Sequence, residues 1–497
     1  MTQWTYDEVA KHGSRDDCYV ILYNKVYDLT EFIPEHPGGP QIIIKYAGKD
    51  ATTIFDPVHP KGTIEKHLPA EKCMGDVNVD TVPEEVLRER EALEQEEVAR
   101  RKNLPPVTQC LNLYDFEIVA RKVVTPMAWA YYSSAADDQE TLHENTSAFR
   151  RIWFRPRILR NVKHVDTSTL ILGHPSTLPV YITATALGRL GHPDGEKNLT
   201  RAAAQTGLIQ MVPTLSSCSF EEIVAERTPD GKPTQFFQLY VNSDRSVVLD
   251  MLRAAEEANI QAIFVTVDAP QLGRREKDMR MHFDDAGSNV QNTQGEDVGR
   301  DEGAARAISS FIDPSLNWDD VLWMKNQTRI PILLKGVQTW EDAVLAAEMG
   351  LAGVVLSNHG GRQLDFARSG IEILEEVVTE LRKRGYYPRK NFQLFVDGGI
   401  RRATDVLKAI ALGATAVGIG RPFIYAFSAY GAEGVVRAVQ ILRDEMEMNM
   451  RLIGAPTLKD VVPEMLDLSA LHARAGTVGE RCGTTVLDPM GNGKSHL

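Results

Sequence analysis

The stretch Ser357-Asn358-His359-Gly360-Gly361-Arg362-Gln363-Leu364-Asp365 sets an imidazole and a guanidinium three residues apart in a glycine-paired turn, directly after the apolar run Ala352 to Leu356. An imidazole can take a proton and a guanidinium can hold an anion, so the pair suits proton removal beside a clamped carboxylate. A polar loop that merely caps a strand is the plainer alternative. Two further turns, Asp397-Gly398-Gly399-Ile400-Arg401 and Gly418-Ile419-Gly420-Arg421, combine glycines that let backbone N–H groups approach an anion with arginines that supply charge, the composition of a phosphate cradle. Far upstream, Phe32-Ile33-Pro34-Glu35-His36-Pro37-Gly38-Gly39 places a histidine before a tight turn, and Asp56-Pro57-Val58-His59-Pro60 offers a second one 23 residues on. Two neutral imidazoles can ligate a haem iron from both faces and leave outer-sphere electron transfer as its work. Zinc competes for the same side chains, but third and fourth ligands with motif spacing are lacking, because Cys18 and Cys73 fall in unsuitable contexts.

These residues need elements to carry them. Eight apolar runs read as strands: Pro179 to Thr183, Leu208 to Val212, Gln235 to Tyr240, Ala262 to Val267, Ile330 to Leu334, Ala352 to Leu356, Phe392 to Val396 and Thr415 to Ile419. Each precedes helix-like sequence or a long loop, the pattern of a parallel sheet. Their number and spacing predict an α/β fold, a closed (β/α)8 TIM barrel. An open doubly wound sheet is the alternative, but no Gly-x-Gly-x-x-Gly follows the first strand. Residues 1–79 mix short strands with helical pieces and predict a small α+β domain. Residues 80–110 are dense in charge, with Val86, Leu87, Leu93 and Val98 too sparse for a core face, and read as a solvated hinge linker, helical in part. The barrel is expected over 111–480 and a tail over 481–497. An insertion from about Phe283 to Ala304, rich in Asp, Gly, Asn and Gln, is expected to be a mobile loop over the active-site face.

A chain of 497 residues exceeds one ordinary core, and 43% hydrophobic with 25% charged residues is globular composition. A formal charge of -13 argues against nucleic acid and fits an enzyme or a surface that docks a basic protein. Cys18, Cys73, Cys110, Cys218 and Cys482 are scattered and odd in number, so reduced thiols are expected. No apolar stretch reaches membrane-spanning length. Met1-Thr2-Gln3-Trp4-Thr5-Tyr6 runs directly into folded-looking sequence, so import by a cleaved presequence is not expected. Ser495-His496-Leu497 resembles a peroxisomal tripeptide, so peroxisome or cytoplasm is the expectation.

In a barrel, the carboxy ends of the strands share one mouth. They supply Ala184, Thr185 and Ala186, Gln238 and Tyr240, Thr266 and Asp268, Lys335, His359 and Arg362, Asp397 and Arg401, and Gly420 and Arg421. A phosphate cradle with a lysine but no Walker motif points to FMN or pyridoxal phosphate. Gln238 and Thr266 suit the polar edge of an isoalloxazine, whereas His359 with Arg362 makes no pyridine clamp, so FMN is favoured.

Residues from about 111 to 480 resemble the FMN-dependent α-hydroxy acid dehydrogenases and oxidases. The likeness rests on Ala130-Tyr131-Tyr132-Ser133-Ser134, Ala184-Thr185-Ala186, Gln238-Leu239-Tyr240, Thr266-Val267-Asp268, Leu272-Gly273-Arg274-Arg275-Glu276, Lys335-Gly336, the turn at 357–365 and the two phosphate turns. It implies that His359 is the base, Asp268 its carboxylate partner, and Arg362 with Tyr131 the clamp on a substrate carboxylate. Tyr240 would bond the substrate hydroxyl, Arg275 would assist, and Lys335 would face flavin N1. Ala135, where relatives commonly have glycine, and Pro213 before Thr214 depart from the family pattern without removing a catalytic group. About 75 residues at the amino end resemble a cytochrome b5-type domain with His36 and His59 as axial ligands of haem b. Taken whole, the chain resembles the haem-containing flavocytochrome branch of the family. That implies L-lactate or a related 2-hydroxy acid as substrate, cytochrome c or another one-electron carrier as acceptor, a homotetramer, and the mitochondrial intermembrane space. Two other readings stay open: a peroxisomal oxidase that makes hydrogen peroxide, and an electron-transfer module whose barrel is catalytically silent.

Overall fold

The computed structural model describes residues 3–36, 40–282 and 311–473. The expected loop from about Phe283 to Ala304, the Pro-Gly-Gly turn and the terminal tripeptide lie outside the described residues.

At the amino end, a five-stranded sheet has the order Gln3–Trp4, Cys73–Val77, Lys25–Asp28, Asp17–Leu22, Gly13–Ser14. Asp17–Leu22 and Lys25–Asp28 form a hairpin across Tyr23 and Asn24, both at positive φ (53° and 62°), as a two-residue turn between right-twisted strands requires. Strand alternation then sorts the side chains. Cys18, Val20 and Leu22 join Leu29, Ile33, Phe32 and Phe55 in one cluster, while Ile21 and Val26 join Val9 and Val77 in another.

The charged segment is more regular than its sparse apolar residues predict, for Glu84–Lys102 is a single helix. The cause is at its ends: Glu84 and Glu85 lie in the first turn and Arg100, Arg101 and Lys102 in the last, each favoured by the helix dipole. Val86 packs on the small domain's second cluster. Arg101 donates to the carbonyls of Gly191 and Ser428, both at 2.9 Å, which ties the helix's far end to the barrel.

All eight expected strands form, and they close into a parallel barrel: β1 (Val180–Ile182), β2 (Ile209–Pro213), β3 (Gln235–Leu239), β4 (Ile263–Thr266), β5 (Ile332–Val337), β6 (Gly353–Leu356), β7 (Gln393–Asp397) and β8 (Ala416–Ile419). Closure is made where β8 pairs with β1, Val417 opposite Val180 and Ile419 opposite Ile182. Tyr181, Met211, Phe236, Phe264, Leu333, Val355 and Phe395 fill the interior, with Tyr181 and Phe395 edge to face at 5.8 Å. The barrel is a packed core, so chemistry is left to its rim. Helices cover the outside by apolar stripes; Gly370–Lys383, for example, buries Ile371, Leu374, Val378 and Leu381 at helical spacing. Cys18, Cys73, Cys110 and Cys218 are unpaired.

Candidate active site and haem site

Two strand ends bring the base and its carboxylate together. His359, in the turn after β6, has φ of 59°, and Asn358 stabilises that turn by accepting the Gly361 N–H at 3.1 Å. Its backbone N–H also donates to Ser357 Oγ at 3.0 Å. His359 Nδ1 lies 2.9 Å from Asp268 Oδ1, after β4, and Nε2 faces the Tyr240 hydroxyl at 3.4 Å. With Nδ1–H held by the carboxylate, Nε2 keeps the lone pair that can accept a proton.

Burial is the largest influence on His359 and lowers its pKa below the ordinary imidazole value; Asp268 opposes this, Lys335 adds to it, and the net direction is down. Burial works to raise the Asp268 pKa, but His359 and Lys335 outweigh it and the carboxylate is favoured. The resting pair is a neutral imidazole beside a carboxylate, ready to act as a base. Since the shift is downward, the base is disabled only below the ordinary pKa of 6.5. The pH profile of kcat/KM for L-lactate should therefore show an acid limb centred below that value; a limb centred above it would contradict the assignment.

Gly336, in β5, must be glycine for this pair to form. Its φ is 111°, and a Cβ there would lie 2.5 Å from both Cβ and Cγ of Asp268. Gly336→Ala is expected to push the carboxylate off His359 and lower turnover by about 10²-fold. The check is turnover per bound flavin, which separates this from loss of fold.

Beside the base sits a pair of cations. Arg362 donates through Nη1 to the carbonyls of Tyr131 (2.7 Å) and Ser134 (3.2 Å), with its guanidinium 5.0 Å from the centre of the Tyr131 ring. Arg275 is buried, and its Nε and Nη2 make only long bonds of 3.4 Å to Arg362 O and Gln363 Oε1. Burial, and after it the Arg362 charge, lowers the Arg275 pKa to about 9. Two adjacent cations in a low-dielectric mouth are stabilised by an arriving anion.

The other wall suits a flavin. Lys335 is buried, yet Asp397 and Asp268 outweigh burial and raise its pKa, so it stays charged. Its Nζ is 3.5 Å from Asp397 Oδ2 and 3.5 Å from Ser357 Oγ. Asp397 Oδ1 and Asp268 Oδ2 are buried acceptors with no partner among the described residues, as expected of walls that a ligand completes. Gln238 donates to Thr266 Oγ1 at 2.9 Å and accepts from the Thr214 N–H at 3.2 Å, presenting neutral polar groups. Ala184 packs on the interior cluster and Ala186 on the outer core, with Thr185 between them after β1. In the cradle, Gly398 and Gly399 have φ of 88° and 80°, and Gly420 precedes the helix that starts at Arg421. Its N-terminal N–H groups favour an anion. Arg401 makes one weak carbonyl bond at 3.3 Å and lies 3.8 Å from Glu117. Arg421, read from sequence as a phosphate charge, also donates to the carbonyls of Tyr132 (3.0 Å), Gly360 (2.8 Å) and Ser134 (2.9 Å), stitching the catalytic turn to the Pro126–Ser133 helix.

In the small domain, the rings of His36 and His59 lie 6.1 Å apart, tilted by 37°. That separation leaves room for one ion between the rings, so His36 and His59 would hold a haem iron from both sides. His59 Nδ1 lies 3.0 Å from the Phe55 carbonyl, which leaves Nε2 for a metal, and Phe55 stacks on the ring at 4.1 Å. Burial, chiefly, lowers the His59 pKa to about 4, so it is a neutral ligand at physiological pH. No cluster of three or more His, Cys, Asp or Glu is gathered among the described residues. Val58, next to His59, packs on the barrel's outer core cluster.

A parallel barrel with a base, a cation pair and a phosphate cradle at its mouth, preceded by a domain with facing imidazoles, defines a flavin oxidoreductase coupled to a haem carrier. Residues 120–468 match the FMN-dependent dehydrogenases and residues 5–78 the cytochrome b5-like heme/steroid binding domain. The chain belongs to the FMN-dependent dehydrogenase family, with FMN and haem b as its cofactors. It is 52% identical over 479 residues to an L-lactate dehydrogenase (cytochrome) of Wickerhamomyces anomalus, covering 96% of this chain and 82% of that protein. The L-lactate dehydrogenase (cytochrome) of Saccharomyces cerevisiae is 49% identical over 480 residues, covering 95% and 80%. Among solved structures, a double mutant of flavocytochrome b2 with pyruvate bound has TM-score 0.70 and 49% identity, covering 76% of this chain and 93% of that one.

Contacts bring His359, Asp268, Tyr240, Arg362, Tyr131, Arg275, Lys335 and Asp397 together, while the other assigned barrel residues stand in or after the strand ends. Sequence reasoning passed over Asn145, Gln363 and Asp365, whose contacts join segments some 90 to 225 residues apart. Within the recognised signature, Asn358 was the available signal.

Proposed function

We propose that this protein oxidises L-lactate to pyruvate and passes the electrons one at a time through its haem to cytochrome c. The observation that carries this is His359, held by Asp268 at 2.9 Å, next to a cation pair and opposite a flavin-type wall. Arg362 and Arg275 receive the substrate carboxylate, with the Tyr131 ring packed under Arg362. Tyr240, buried and with its pKa pushed up mainly by burial, keeps its proton and can donate or share it at the substrate hydroxyl. His359 Nε2 takes one proton, from C2 or from the hydroxyl, and Asp268 stabilises the imidazolium so formed; the other hydrogen leaves as the hydroxyl proton to solvent in the first case and with the electron pair as hydride in the second. FMN, when bound, accepts two electrons and haem b relays them singly. Lys335 places a fixed positive charge where electron density accumulates. Leu215 packs with Tyr240 and, together with Ala186, suits a methyl side chain better than an aryl one.

The Glu84–Lys102 helix serves as the hinge between the two centres. Exposed Trp153 (66%), Ile158 (82%), Leu159 (98%) and Leu452 (66%) give the barrel an apolar surface consistent with a homotetramer, testable by sedimentation. No helix among the described residues is long and apolar enough to cross a membrane. With cytochrome c as acceptor, the compartment that fits is the mitochondrial intermembrane space; oxygen as acceptor would fit a peroxisome instead.

The deciding experiment is an anaerobic visible spectrum before and after L-lactate. Flavin bleaching together with reduced-haem bands is the expected result. Bleaching with oxidised haem, and peroxide on admitting air, would establish the oxidase instead, while no change would remove lactate as substrate.

A further inference from the structure

The Glu140–Arg150 helix lies outside the eight strands, yet it touches both working turns of the mouth. Its first turn is capped by Asp365, which accepts the Thr141 N–H at 2.8 Å, and Thr141 Oγ1 donates to the Ala367 carbonyl at 3.2 Å. The loop that follows the catalytic turn is thus bolted to the start of this helix. The catalytic turn is pressed against it as well, since a Cβ on Gly361 would come within 2.7 Å of the Leu142 nitrogen.

One turn further along, Asn145 is 1% exposed and meets Asn358, also 1% exposed. The two amides are reciprocal: Asn145 Nδ2 donates to Asn358 Oδ1 at 2.9 Å, and Asn358 Nδ2 donates to Asn145 Oδ1 at 2.8 Å. Asn358 Oδ1 is the same atom that accepts the Gly361 N–H at 3.1 Å, so Asn145 fixes the group that shapes the turn around His359. On its other side Asn145 abuts the cradle. A Cβ on Gly399 would lie 2.0 Å from the Asn145 backbone carbonyl oxygen, and one on Gly398 would lie 3.3 Å from its side-chain Nδ2.

Both turns hold backbone that is unfavourable for most residues. His359, Gly360, Gly361, Gly398 and Gly399 have φ between 59° and 88°, and His359 is the only non-glycine of these five. A left-handed non-glycine is unfavourable and persists where its surroundings hold it. Asn145 meets both sets of surroundings, its side-chain amide holding Asn358 and its backbone carbonyl and Nδ2 lying against Gly399 and Gly398, and neither Asp nor a hydrophobic residue can reproduce the paired donor and acceptor.

We propose that Asn145 is a positioning residue that couples the two turns, so that occupation of the cradle by the FMN phosphate steadies the turn that carries the catalytic base. The coupling rests on the reading of residues 397–401 and 418–421 as the phosphate site. Asn145 itself does not touch the substrate; it acts through Asn358 and Gly399.

The test uses full-length protein stripped of flavin, titrated with FMN and with riboflavin, which lacks the phosphate, and followed by backbone hydrogen exchange. In the unmodified protein FMN should bind at least about tenfold more tightly than riboflavin and protect amides of both 358–362 and 398–401. In Asn145→Asp, which keeps the shape but sets two oxygens face to face, and in Asn145→Ala, FMN should still protect 398–401 while protection of 358–362 falls by about tenfold. In the reloaded variants the acid limb of kcat/KM should move, with KM for L-lactate changed by less than about twofold. A fall in melting temperature with both turns protected in the original ratio and the pH profile unmoved would make Asn145 merely structural and overturn the coupling. Equal binding of FMN and riboflavin by the unmodified protein would instead remove the phosphate-cradle reading on which the coupling depends.

Discussion

His359→Gln should lower L-lactate-driven flavin reduction by about 10⁴-fold while FMN content and the haem spectrum stay as they are. Glutamine fills a similar volume and can still bond Asp268, but it has no lone pair basic enough to take a proton. The substitution should therefore spare binding and abolish chemistry. Flavin reduced chemically should pass electrons to the haem at the usual rate, because nothing between the two centres is altered. Stopped-flow absorbance under anaerobic conditions reads both steps. Undiminished haem reduction by lactate would mean that the base lies elsewhere, and would revive the reading of a silent barrel.

His59→Ala should have the opposite signature. The ligand is lost together with a ring that Phe55 stacks on at 4.1 Å, so haem affinity should fall by more than the roughly 10–100-fold that loss of an outer-shell partner costs. Lactate should still bleach the flavin at close to the normal rate, and cytochrome c reduction should collapse. In air the bleached flavin would then be reoxidised only by slower routes. Retention of a full haem spectrum by the purified variant would refute the pairing of His36 with His59. The two substitutions together separate proton abstraction from electron export.

Much of this was legible in the sequence for a physical reason. Strands buried on both faces, such as Ala262 to Val267, read as unbroken apolar runs, and the closed barrel buries all eight in that way. The residues at their ends then had to share a rim, which put His359 and Asp268, 91 positions apart, at one mouth, and the family resemblance implied that they pair. The linker was less legible, because its stability as one helix comes from charge placement at its ends and not from an apolar stripe. Asn145 was illegible: nothing in its local sequence tells that its carbonyl occupies the space a Gly399 side chain would need. The same holds for Gly336, whose φ of 111° makes room for a carboxylate just beyond the end of a neighbouring strand. Arg421 was half legible, its charge foreseen but not its three carbonyl bonds.

The helix Glu84–Lys102 is anchored at one end through Val86 and at the other through Arg101. At 1.5 Å per residue its 19 residues span about 28 Å. A carrier held on an arm of that length is confined to a sphere holding one molecule, an effective concentration on the order of 20 mM. The first electron hop is therefore blind to dilution, and only the last, to a free-floating partner, feels how crowded the surroundings are.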